Sequence, residues 1–155
     1  MKNSYYYIIA SLPMLHFGMK PPFSYPDFLA LWEPGSDSDL LREWEKFNRS
    51  LKNELVRTRA VKKGKDPNSY LRGNDGIDPF IAPLAHWATN QDSPMEAELY
   101  LDKIRWEKIE EIKAGHYFDI EYLVAYGLQL QILERWCRIN SCESAEILER
   151  LIGKI

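Results

Sequence analysis

The strongest periodic signal in the chain runs from Gly115 to Trp136, GHYFDIEYLVAYGLQLQILERW, a tight turn followed by a helix apolar on nearly every side. Ile120, Leu123, Val124, Leu128, Leu133 and Trp136 make one face, with Tyr122, Tyr126, Leu130 and Ile132 on its flanks. A helix with so few polar interruptions belongs at the centre of a bundle or reserves a face for a partner. Leu40, Trp44, Phe47, Leu51 and Leu55 recur at three and four residues and predict a second, long helix with a single buried seam, from a Ser38 cap to Lys63. Leu99, Trp106, Ile109 and Ile112 predict a third inward stripe, on a helix that Ser93-Pro94-Met95-Glu96 opens as a capping box and that ends at Lys113.

Local signals divide the rest of the chain. Ser24 is placed to cap a short helix to Trp32, stopped by Pro34-Gly35, and Asp78-Pro79 opens another to Thr89 that Pro83 shortens or bends. Gly64 and Gly115 stand at left-handed cap positions, and Asp119 caps the central helix, with Phe118 and Leu123 set for a hydrophobic staple. A last short helix is expected from Cys142 to Ile152, and the polar stretch Lys65 to Ile77 should be the most mobile part. Tyr5 to Leu12 is rich in aromatic and β-branched residues, which favours a strand, yet no partner strand follows; strand and helix both stay open there. The expected fold is mainly α, a bundle of about five to six helices around a central αα-hairpin, with a short N-terminal strand as the open alternative. It forms a single helical domain over 1–155, with a short helix in an N-terminal segment, 1–35, and the bundle over 36–155.

Composition narrows the function by exclusion. Hydrophobic content of 45% supports a real core and rules out wholesale disorder. The net charge of -3 points to no partner class, but its distribution is uneven. Arg42 to Arg72 holds ten Lys/Arg against four Asp/Glu, whereas Ser93 to Ile152 holds seven against twelve. Cys137 and Cys142 read as free thiols, and no apolar run approaches the roughly 20 residues of a membrane span.

Candidate chemistry is sparse. His16, His86 and His116 are far apart in sequence, so no metal or cofactor set is expected; His116, in the tight turn, reads as a hydrogen-bonding turn residue. The carboxylates Glu96, Glu98, Asp102, Glu107, Glu110 and Glu111 read as solvated helix pairs with Lys103, Arg105 and Lys108 rather than as an acid/base set. No serine or cysteine has the setting of a nucleophile, and no glycine-rich loop fits a phosphate cradle. The basic cluster Arg57, Arg59, Lys62, Lys63, Lys65 and Arg72 complements the negative end of the long helix or contacts a partner with an acidic surface. With only Tyr70 close by, it lacks the interleaved aromatics of a nucleic-acid face, and no nucleic acid is expected.

The opening YYYIIASLPMLHFG and PPFSYPDFLAL resemble the start of a bacterial family of unassigned function that is encoded among the subunits of V/A-type rotary ATPases. The resemblance continues through EWEKFNRSLKNELVRTRAVKKGKDPNSYLRG and is best over SPMEAELYLDKIRWEKIEEIKAGHYFDIEYLVAYGLQLQILERW. In style these helical pieces are similar to the stalk-socket subunit of such ATPases, the all-helical, non-catalytic piece that seats the central stalk on the rotor ring. This chain is much shorter, so it would be part of that architecture or a smaller accessory piece. The resemblance implies a cytoplasmic, non-catalytic interaction subunit. It would be held to the membrane only through a partner complex, with ATPase subunits as partners and a homodimer left open. The rival from another class is a bundle that binds a small ligand or lipid between Trp106, His116, Tyr122, Tyr126 and Trp136. An enzyme would require His116 and carboxylates such as Asp102 to converge.

Overall fold

The computed structural model describes residues 2–33, 37–67, 71 and 78–152. The chain is mainly α-helical, with six helices and no strand among the described residues. They are α1 (Lys2–Ser11), α2 (Tyr25–Leu29), α3 (Asp39–Lys62), α4 (Ala82–Thr89), α5 (Pro94–Lys113) and α6 (Ile120–Ile152). Two compact units share them: Met1–Ser38 with Lys113–Ile155, and Asp39–Ile112.

In the first unit, α1 and α2 pack on α6. The segment with strand-like composition forms α1 instead, and Ile9 is its buried anchor. With no partner strand among the described residues, a helix lets this segment satisfy its backbone groups internally, and that outweighs the strand preference of Tyr5 to Ile9. Ser24 caps α2 as expected, its Oγ accepting from the Asp27 amide at 3.2 Å. The helix itself stops at Leu29, short of the expected Trp32. Phe28 is fully buried against α6, where Gly127 makes room: a Cβ there would lie 3.1 Å from Phe28 Cε1 and 3.2 Å from Tyr25 Cε2. The Tyr25 amide, left open at the start of α2, donates to Glu134 Oε1 of α6. Ser38 donates to Glu121 Oε2 at 2.7 Å.

α6 begins where Asp119 Oδ1 accepts from the Tyr122 amide at 3.1 Å, after Gly115 has taken φ +88. Leu123, Tyr126, Leu130 and Leu133 are buried along it, and so is the polar Gln129. The short helix expected from Cys142 is not separate, because α6 runs unbroken to Ile152. Asn140-Ser141-Cys142 are weak helix formers, but without glycine or proline they do not end a helix already under way.

The second unit holds α3, α4 and α5 up to Ile112. Its core is Leu51, Leu55, Ile81, Ala85, Ala88 and Leu101, with Phe47 and Tyr100 packed against them. The predicted α3 seam is therefore the buried one, and Gly64 closes the helix at φ +66. α4 starts at Ala82, not at Asp78: the Asp78 carbonyl accepts from the Ile81 and Ala82 amides in a preceding turn, and Pro83 falls in the first helical turn, where no donor is lost. Ser93 Oγ accepts from the Glu96 amide at 3.1 Å, as its cap motif predicts. On α5 the inward stripe is Leu101, Asp102, Trp106 and Ile109, while Leu99 faces solvent. Beyond 67, the predicted mobile stretch 65–77 lies outside the described residues except for Leu71, as does Pro34-Gly35.

Candidate functional site

The basic cluster divides in the structure according to whether each cation has an internal partner. Lys62 Nζ donates to the Thr89 carbonyl at 2.9 Å and to Asn90 Oδ1 at 2.7 Å, which ties the end of α3 to the end of α4. Arg57 pairs with the buried carboxylate of Glu54, one turn back. Arg72 lies outside the described residues. Arg59, Lys63 and Lys65 surround a hollow of about 280 Å³ whose floor is Val56 and Ala60. Among the described residues none of these three side chains has an ion pair, so the hollow carries three unbalanced positive charges over an apolar floor.

The aromatic candidates do not form one group. Tyr126 is buried in a ring cluster of the first unit, 5.2 Å from Phe28, 6.2 Å from Phe23 and 6.4 Å from Tyr122 by ring centroids. Its hydroxyl donates to the Pro13 carbonyl at 2.7 Å. Trp136 is half-buried and stands ten residues further along α6, about 15 Å away along the axis. Trp106 is buried in the other unit. His116 Nδ1 lies 2.6 Å from Asp119 Oδ2, whose other oxygen caps α6, so the histidine buttresses the turn. Lys113 Nζ sits over the Tyr122 ring at 5.5 Å.

Burial raises the Tyr126 phenol from 10.0 to about 12, and neighbouring Tyr122 adds to the shift. The unfolded phenol ionises first, so the stability due to neutral Tyr126 is complete below pH 10 and is lost as pH rises from 10 to about 12. Tyr126→Phe should flatten that alkaline fall in a thermal-unfolding series run between pH 8 and about 12, while lowering stability at pH 7 by about 0.5–1.5 kcal/mol for the lost hydrogen bond. An identical alkaline fall in the variant would remove Tyr126 as its source.

Residues 86–155 match the family model described as "Protein of unknown function (DUF2764)". No curated protein and no solved structure matches the chain. The match covers α5, α6 and the second half of α4, and leaves α1 to α3 and the basic hollow outside it.

Two surfaces escape sequence reasoning. Tyr6, Tyr7 and Phe118 form an exposed ring set, the Tyr6 ring lying 4.7 Å from Phe118 and 5.8 Å from Tyr7, and Tyr117, next to Phe118 in the chain, is exposed as well. Phe118, expected to staple onto Leu123, is half exposed and spends its ring on α1. The other is a groove of about 500 Å³ in the second unit, with Phe47, Leu84 and Ile104 in its floor and Phe80 at its lip. Exposed aromatics leave no periodic trace in a sequence, and the groove draws on three separate segments; only Phe80, directly after Asp78-Pro79, hints at it. Among the described residues no group of three His, Cys, Asp or Glu is placed to hold a metal ion. No helix of the described residues is long and apolar enough to cross a membrane.

Proposed function

We propose that the chain is a non-catalytic protein-interaction subunit associated with a V/A-type ATPase, at the junction of the central stalk and the rotor ring. The observation that carries the interaction reading is the solvent-facing ring set Tyr6, Tyr7 and Phe118, with the exposed Tyr117 next to it in the chain; Tyr7 is 73% exposed and Tyr117 70%. Clustered exposed aromatics on a folded domain mark a surface that another protein covers, since such side chains dominate interface energetics. The basic hollow of Arg59, Lys63 and Lys65 adds a second contact suited to an acidic partner surface. The choice of host complex rests on the resemblance of the segments quoted above. In this role the chain works through rigid helix packing: part-buried bonds such as Tyr126 to Pro13, just after α1, and Tyr25 to Glu134 tie the segment after α1, and α2, to α6.

Affinity purification of the tagged chain from detergent-solubilised cells of its own organism, with mass spectrometry of what accompanies it, tests the reading. Stoichiometric rotary ATPase subunits are expected. A preparation containing this chain alone would overturn the assignment to that complex.

A further inference from the structure

The groove of the second unit combines two features that neither the sequence pattern nor the family match assigns. Its floor is apolar: Ile81 is buried beneath it, and Phe47, Leu84 and Ile104 line it. Its rim is acidic: Asp78, Glu107 and Glu111 stand around the opening against a single cation, Lys108. Lys108 is already engaged, with Nζ 5.4 Å from the Phe47 ring centroid and 3.6 Å from Glu111 Oε1. Asp78 spends one oxygen on the Phe80 amide at 2.9 Å. Glu107 has no hydrogen bond or ion pair among the described residues, and it sits one helical turn from Glu111, a spacing at which like charges repel. The groove therefore keeps a surplus of negative charge beside an apolar surface.

We propose that this groove docks a basic amphipathic helix of a partner protein, whose apolar side chains fill the hollow and whose Lys or Arg side chains reach Glu107 and Glu111. The proposal builds on the reading of the chain as an interaction subunit. Three observations select the occupant. The charge surplus calls for cations. The lip residue Phe80 is 85% exposed, so the groove is open along one side, whereas small-molecule sites enclose most of their ligand. The walls are helices α4 and α5, packed with α3, and an apolar groove between helices is the usual seat for a helix laid in by one face. Val56, in the floor of the basic hollow, follows Phe47 by nine residues, about two and a half turns of α3. The acidic groove and the basic hollow thus lie on opposite sides of α3, and one unit can hold a basic and an acidic partner at the same time.

The test uses the full chain and two fluorescein-labelled peptides of one amphipathic design, one with leucine and lysine, the other with leucine and glutamate. Fluorescence anisotropy should show the Leu/Lys peptide binding at least roughly tenfold more tightly than its Leu/Glu twin, with affinity falling as salt rises. Glu107→Gln combined with Glu111→Gln should weaken the Leu/Lys peptide by roughly tenfold, and Phe80→Ala should weaken it independently of salt. The exposed pair Glu45→Gln and Asp92→Asn, outside the groove, should leave affinity unchanged. Equal binding of the two peptides, or full affinity in the Glu107/Glu111 variant, overturns the proposal. Salt-sensitive self-association of the chain that Glu107→Lys abolishes also overturns it, by making a second copy the occupant. The peptide result is independent of the purification from cells, so the docking proposal and the ATPase assignment fail separately.

Discussion

Phe28→Ala should lower the unfolding free energy of the unit formed by Met1–Ser38 and Lys113–Ile155 by about 3–5 kcal/mol. The side chain is 0% exposed and is ringed by Phe23 at 6.3 Å, Tyr25 at 6.4 Å, Trp32 at 5.7 Å and Tyr126 at 5.2 Å. Each such pair adds about 0.5–1.5 kcal/mol beyond the area it buries. On its other side Phe28 rests against Gly127, which has no side chain that could move into the space. Both conditions place the substitution at the costly end of the large-to-small range, since the cavity can neither collapse nor be filled. α2 has only five residues, too few to stand without tertiary contacts, so losing this ring should release the whole element from α6. Urea unfolding followed by near-ultraviolet circular dichroism should show the lower midpoint and the lost aromatic signal together. A cost below about 1 kcal/mol would mean that another contact seats α2.

What could be read from the sequence was whatever nearest neighbours decide. The caps at Ser24, Ser93 and Asp119 and the left-handed Gly64 and Gly115 are chosen by residues within one turn, and each stands where the sequence puts it. The α3 seam is equally legible, because only one apolar stripe runs along that helix. α5 has two interleaved stripes, through Leu99 and through Leu101, and periodicity alone cannot choose between them. Packing in the second unit chooses Leu101, and that choice carries Asp102 inward with it. The same limit governs the candidate site. Composition finds the basic cluster, but the engagement of Lys62 depends on atoms 27 and 28 residues away, and the groove needs α3, α4 and α5 assembled. For Tyr5 to Leu12, strand propensity misleads because a strand also needs a partner, which local composition does not report.

The inward turn of Asp102 leads to a second large effect. Its carboxylate is 1% exposed and accepts from Arg105 Nη1 at 2.7 Å, while Arg105 Nε donates to Asn48 Oδ1 of α3 at 3.2 Å. A sequence reading classes this pair with the solvated i,i+3 and i,i+4 pairs of α5, worth a few tenths of a kcal/mol each. In the folded unit it is a buried ion pair that links α5 to α3. Asp102→Ala leaves the largely buried guanidinium of Arg105 without its carboxylate and should cost about 3–5 kcal/mol. Most of that cost is the stranded charge rather than the attraction itself. The double variant Asp102→Leu with Arg105→Met should therefore recover a large part of the loss, because replacing both members of a buried pair by apolar groups of similar size is close to neutral. Denaturant midpoints for the single and double variants decide the matter. Additive losses would show that the pair acts through separate contacts. A loss in Asp102→Ala no larger than in an exposed control such as Glu45→Gln would show that solvent reaches the carboxylate, and with it the groove wall that the neighbouring turn of α5, at Ile104 and Glu107, supplies.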